Sequence, residues 1–88
     1  MRGLFDINAV GKSADDVTGP SPLRIERVKV SLYRVAPGES GYADHVAMVW
    51  HVGNQAFMVT VHRWDGDRLA VAQARAMTAS LIRQLPHQ

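Results

Sequence analysis

Hydrophobic and polar residues alternate most regularly between His45 and Trp64, where the chain reads HVAMVWHVGNQAFMVTVHRW. Two apolar, β-branched-rich runs flank Gly53-Asn54, a pair that tolerates the positive φ of two-residue hairpin turns. The pattern therefore predicts a β-hairpin closing at that pair. Such a turn sets Val52 opposite Gln55, Trp50 opposite Phe57, Met48 opposite Val59 and Val46 opposite Val61. Side chains in a strand alternate between faces, so Val46, Met48, Trp50, Phe57, Val59 and Val61 share one side, and a one-residue slip would scatter them.

The run from Val28 to Val35 extends the same alternation upstream. A five-residue loop over Pro37–Gly41 sets Leu32 against Val46 and Val30 against Met48. A loop two residues longer or shorter would keep the same faces. In this arrangement Asp44 sits at the sheet edge between Arg34 and Arg63. Three antiparallel strands are expected, at about 24–35, 43–52 and 55–64.

Beyond Trp64 the period changes from two to that of a helix. Asp65-Gly66-Asp67 reads as a turn, with Asp67 as N-cap of a helix over about 67–85. At 100° per residue Ala70, Val71, Ala74, Met77, Thr78, Leu81, Ile82 and Leu85 fall on one side. Arg68, Gln73, Arg75, Ser80, Arg83 and Gln84 fall on the other. Pro86 disfavours the α conformation in the residue before it, which ends the helix at Leu85. A sheet with one apolar face and a helix with one apolar stripe bury each other. The expectation is an α+β two-layer domain over residues 23–88, in the order β-β-β-α. Residues 1–22, punctuated by Gly3, Gly11, Gly19, Pro20 and Pro22, read as an irregular N-terminal arm or short element.

Composition narrows the classes of function. Eighty-eight residues suit one small domain. With no cysteine, neither a disulfide framework nor a thiolate zinc site can form. No apolar run reaches the ~18–20 residues of a membrane span, and a cytoplasmic location is expected. A formal charge of +2 is too small to imply a polyanion partner by itself. Lys12 and Lys29 are the only lysines among many arginines and alanines, a bias of GC-rich bacterial or phage coding sequence. Gly11-Lys12-Ser13 has the tail of a phosphate-binding loop, but Asp6 stands where the pattern needs glycine.

The sheet face away from the helix carries the candidate chemistry. Its expected rows are Tyr33–His45–His62, Ser31–Ala47–Thr60, Lys29–Val49–Met58 and Arg27–His51–Ala56, with no carboxylate. Three uses compete for it. The arm could cover it, with Leu4, Phe5 or Ile7 on Val49 and Met58. A protein partner or second copy could dock on it, around a dry centre of Val49, Met58, Ala47 and Thr60 with Arg27, Lys29, His51 and Tyr33 at the rim. An open outer strand could equally add a partner's strand. Nucleic acid could stack on Tyr33 and His45 and meet Arg27 and Lys29 with its phosphates. His45 and His62 stand opposite one another, but no third strong ligand completes a metal site. No serine lies in a nucleophile elbow and no carboxylate pair shares a face, so neither enzyme chemistry nor a cofactor is expected.

In element order, Val28 to Leu85 resembles the latter part of the double-stranded RNA-binding domains, in which three antiparallel strands precede a helix. That resemblance implies RNA contacts at the helix start, where the family carries a lysine-rich run. Here the matching stretch is Asp67-Arg68-Leu69-Ala70-Val71-Ala72, with one arginine. The sequence thus leads to a small non-enzymatic interaction module, of the accessory-subunit or phage-inhibitor kind, whose partner is another protein or a second copy. A nucleic-acid-binding module is the alternative.

Overall fold

The computed structural model describes residues 17–37 and 44–85. It contains four strands, β1 (Val17–Ile25), β2 (Val28–Val35), β3 (His45–Val52) and β4 (Gln55–His62), followed by one helix, α1 (Asp67–Gln84). The strands form an antiparallel sheet in sequence order, β1-β2-β3-β4. The class is α+β as expected, with one strand more than expected.

The β3–β4 hairpin has the register read from the sequence, from His45 opposite His62 to Val52 opposite Gln55. Gly53 adopts φ 59° while Asn54 stays outside the left-handed region, the φ pattern of a type II′ turn. Trp50 and Phe57 stack across the two strands with ring centroids 5.7 Å apart. The expected β2–β3 faces are also kept, but the pairing moves by two residues. Arg34, not Leu32, stands opposite Val46, and Leu32 stands opposite Met48. The connection is correspondingly longer, and Asp44 N–H closes it onto the Ala36 carbonyl at 3.1 Å.

The extra strand corrects the expected single strand over about 24–35. The chain reverses inside that stretch, at Glu26-Arg27, both of which have positive φ (51° and 68°). This is the φ pattern of a type I′ turn built without glycine or asparagine. Residues 17–22, expected in the arm, instead belong to β1, while residues 1–16 lie outside the described residues. Pairing runs from Ile25–Val28 to Val17–Val35, with an irregularity between Thr18 and Ser21. Gly19 sits in that irregularity at φ 123°, where an added Cβ would stand 2.6 Å from the Leu32 carbonyl oxygen. No other residue type fits so close to a neighbouring backbone.

The core lies between one sheet face and α1. Ile25, Val30, Leu32, Val46, Met48, Trp50 and Val59 meet Ala70, Ala74 and Ile82 there. The helix buries a narrow stripe, Ala70, Ala74, Thr78 and Ile82, spaced four apart. Small side chains at its first two positions let the helix approach the pleat closely. Thr78 is tolerated in the core because its hydroxyl donates to the Met48 sulfur at 3.6 Å. Met77 and Leu81, expected on the buried side, are 50% and 41% exposed. They lie beside the stripe, because a face only one residue wide per turn cannot bury a broad apolar arc.

Asp67 also departs from expectation. It is the first helical residue, and Gly66 occupies the N-cap position without any side-chain cap. The Asp67 carboxylate accepts hydrogen bonds from Arg34 and Arg63 instead. At the other end Leu85 leaves the helix in an extended conformation, as Pro86 requires.

Two stability predictions follow from this packing. Ala74→Leu inserts three carbons where the wild-type side chain is fully buried, and should destabilise the fold by ~1–3 kcal/mol through overpacking, read as a lower urea midpoint. Arg27→Gly relieves a left-handed residue that costs ~1 kcal/mol, and should raise the midpoint by a comparable amount.

Candidate functional site

The second sheet face, away from α1, is built by the pleat. Its observed rows are Val17–Val35–His45–His62, then Tyr33–Ala47–Thr60, then Pro22–Ser31–Val49–Met58. Arg24 and Lys29 continue it on the first two strands. Compared with the expected rows, β2 is displaced by two residues. Tyr33 therefore stands beside Ala47 rather than His45, and Lys29 no longer opposes Val49.

Of the residues expected to bind a partner, the structure separates four groups. Tyr33, Met58 and Thr60 surround the centre of the face and are half-buried. Val49, expected at a dry but accessible centre, is only 6% exposed, and Val35 on the same face is fully buried. Lys29, His51 and Arg27 are exposed. Arg27 is not part of the face, since it sits in the β1–β2 turn.

His45 and His62 form the fourth group and are in contact. Their rings meet edge to face with centroids 4.8 Å apart. Trp64 extends the row, its indole 4.2 Å from the His62 ring. Trp64 is 83% exposed, which the strand alternation did not reveal because it lies past the last paired residue. The His62 Nδ1 atom is buried and has no hydrogen-bond partner among the described residues. Its Nε2 lies 4.0 Å from an Asp44 carboxylate oxygen. No group of three or more metal-ligating acids and histidines occurs among the described residues.

Beside this row lies a charged knot in which the Arg63–Asp44 contact was expected and the part played by Asp67 was not. Arg63, mostly enclosed, donates to the Asp44 carboxylate at 3.2 Å, to the Asp67 carboxylate at 3.0 Å and to the Val35 carbonyl at 3.0 Å. Arg34, expected beside Asp44, donates to Asp67 at 2.8 Å. One carboxylate at the helix start thus serves two guanidinium groups, whose spacing along the chain gives no sign of their meeting. The hydrogen bond from Arg34 is the main cause of a depressed Asp67 pKa, with Arg63 adding to it and burial opposing it. The same bond raises the Arg34 pKa.

The two sheet edges differ in kind. On β1, the two-residue turn directs the backbone of Pro22 outward, away from β2. Its missing N–H costs the ladder nothing and removes a donor from the outer edge. Together with Pro20 and the irregularity at Gly19, this blunts β1 against strand addition. On β4 the outward backbone groups belong to Ala56, Met58, Thr60 and His62, the residues in non-hydrogen-bonded pairs with β3. The strand QAFMVTVH contains no proline, lysine, arginine or carboxylate. Among the described residues β4 has no outer neighbour.

Compared with family models, with curated proteins and with solved structures, the chain matches none of them.

Asp67 yields a pH prediction. Its folded pKa lies below the unfolded value of ~3.9, so its contribution to stability is present above that value and is lost as pH falls through the folded pKa. The wild type should lose up to ~1 kcal/mol from this half-exposed pair on acidification. Asp67→Asn should lack that part of the acid dependence, measured as urea midpoints between pH 7 and pH 3.

Proposed function

We propose that this chain is a small interaction module with no catalytic role, which binds a macromolecular partner by extending its sheet at the β4 edge. The observation that carries this reading is the contrast between the two edges. β1 is blunted by two prolines and an irregularity, whereas β4 is long, uncharged and free of proline. Natural sheets protect edges that must stay unpaired, and an unprotected edge is suited to strand addition. Main-chain hydrogen bonds at Met58 and Thr60 would supply affinity, and the flanking side chains would supply selectivity.

The second face contributes less than its residue types suggested. With Val49 and Val35 buried, docking there falls to the half-buried Met58, Thr60 and Tyr33 and the exposed Lys29 and His51. Nucleic-acid binding is the second reading. The exposed Trp64, tilted against the His62 ring, favours it by offering a platform for a base. The guanidinium groups nearest that platform, Arg34 and Arg63, are already paired with Asp67 and Asp44, and Asp65 follows it in sequence, so little positive charge is left to meet a phosphate chain.

Two measurements separate these readings. Retention on double-stranded RNA or single-stranded DNA at ~50 mM salt should be absent; retention that falls steeply with rising salt would replace the protein-binding reading. Met58→Glu should change the unfolding free energy by no more than ~1 kcal/mol, read from urea titration, because this side chain lies at the edge. Val49→Arg should cost several kcal/mol by burying an unpaired charge. Equal tolerance of both substitutions would mean that the second face is open to solvent, and would return it to consideration as the docking surface.

A further inference from the structure

We infer that the strand added to β4 is β4 of a second copy of this chain, giving a two-fold symmetric dimer with a continuous eight-stranded sheet. This rests on the edge-binding reading above and names its occupant.

Register provides the first support. Two antiparallel copies of β4 can be paired about Val59, which sets Met58 opposite Thr60 and Ala56 opposite His62 of the second copy. These four residues are the ones whose backbone groups point outward, so each pair exchanges two hydrogen bonds. A pairing centred between Met58 and Val59 would oppose outward with inward residues and mix the two faces. Every register centred on a residue keeps Phe57, Val59 and Val61 on the helix side of both copies; the one about Val59 uses all four outward residues of the strand, and in it Phe57 meets Val61 across the axis. The edge is complementary to itself, as a two-fold contact requires.

The helix supplies the second. Arg75 donates to the Arg24 carbonyl at 3.4 Å and Arg83 pairs with Glu26 at 3.0 Å, so this flank of α1 faces the β1–β2 hairpin. Arg68 lies on the same flank at 100° per residue. The opposite flank, turned toward β4, carries Gln73, Met77, Leu81 and Gln84, none of them charged. Two copies brought together at β4 would appose Met77 and Leu81, and the three arginines of each helix would remain apart. This accounts for two large apolar side chains, 50% and 41% exposed, beside a stripe that has no room for them.

Size is the third. Eight residues make an edge about 27 Å long, and a sheet and helix layer together present about 20 Å of height. Each copy would bury on the order of 500 Å², or about 1,000 Å² in total, which reaches the lower bound for a specific interface.

The test is the molar mass of the full chain, measured by light scattering at about 5 μM and about 500 μM. The expected result is a species of twice 9.7 kDa at the higher concentration. Met58→Pro removes an outward donor without touching the β3–β4 ladder, and Met77→Lys with Leu81→Lys charges the helix flank; each should return the mass to 9.7 kDa with an unchanged circular-dichroism spectrum. Should the proline variant unfold, the lysine pair decides. A 9.7 kDa species at both concentrations overturns the inference, including the case in which residues 1–16 of the same chain occupy the edge. A dimer that survives both variants overturns it as well. A monomeric chain that nevertheless protects the Met58 and Thr60 amides from exchange when a foreign protein is added would sink the dimer and leave the edge-binding reading standing.

Discussion

The tight turn at Gly53-Asn54 is the constraint on which the rest of this protein depends. A two-residue connection leaves one pairing between β3 and β4, and the pleat then assigns every neighbouring side chain to the helix side or the opposite side. Trp50 and Phe57 stack beneath α1 as a result, and His45 and His62 meet on the other face. The same parity determines which backbone groups of β4 point outward. Core, second face and outer edge are therefore three consequences of one bend.

A second constraint operates at the far end of the sheet. Arg63 ties the end of β2, the entry to β3 and the start of α1 through three hydrogen bonds. Its effect is geometric more than energetic, since partly exposed ion pairs contribute little net stability. Asp67 anchors the helix start over the sheet, and its negative charge also lies at the favourable end of the helix dipole. The carboxylate is thereby withdrawn from capping, and Gly66 takes the N-cap position without a side chain to contribute.

The molecule guards one side of its sheet and leaves the other plain. Pro20, Pro22 and Gly19 make β1 a poor template for another strand, whereas β4 presents outward amides flanked by apolar side chains. The arrangement of α1 repeats that asymmetry. Arg75 and Arg83 turn toward the β1–β2 hairpin and the uncharged flank lies on the side of β4, the edge at which we propose contact. The aromatic row of His45, His62 and Trp64 belongs to the opposite face and adds a polar landmark to one end of it.

What the sequence determined by itself was local. The Gly-Asn turn, period-two alternation over 45–62, period-3.6 spacing over 67–84 and the stop before Pro86 each depend on a few consecutive residues. The β1–β2 reversal did not announce itself, because Glu26 and Arg27 are not turn-forming residues. Their left-handed conformations are imposed by the pairing of Leu23 and Ile25 with Val30 and Val28 and by the helix packed above. Long-range effects decided the rest. The two-residue shift of β2 depended on the length of its connection to β3, which the apolar pattern tolerates equally at either value. The choice of Asp67 over Asp44 as the partner of Arg34, and the burial of Val49 with the exposure of Met77, depended on how the layers meet. A residue's side of a strand is a property of its neighbours in the chain; whether that side meets solvent is a property of the whole fold.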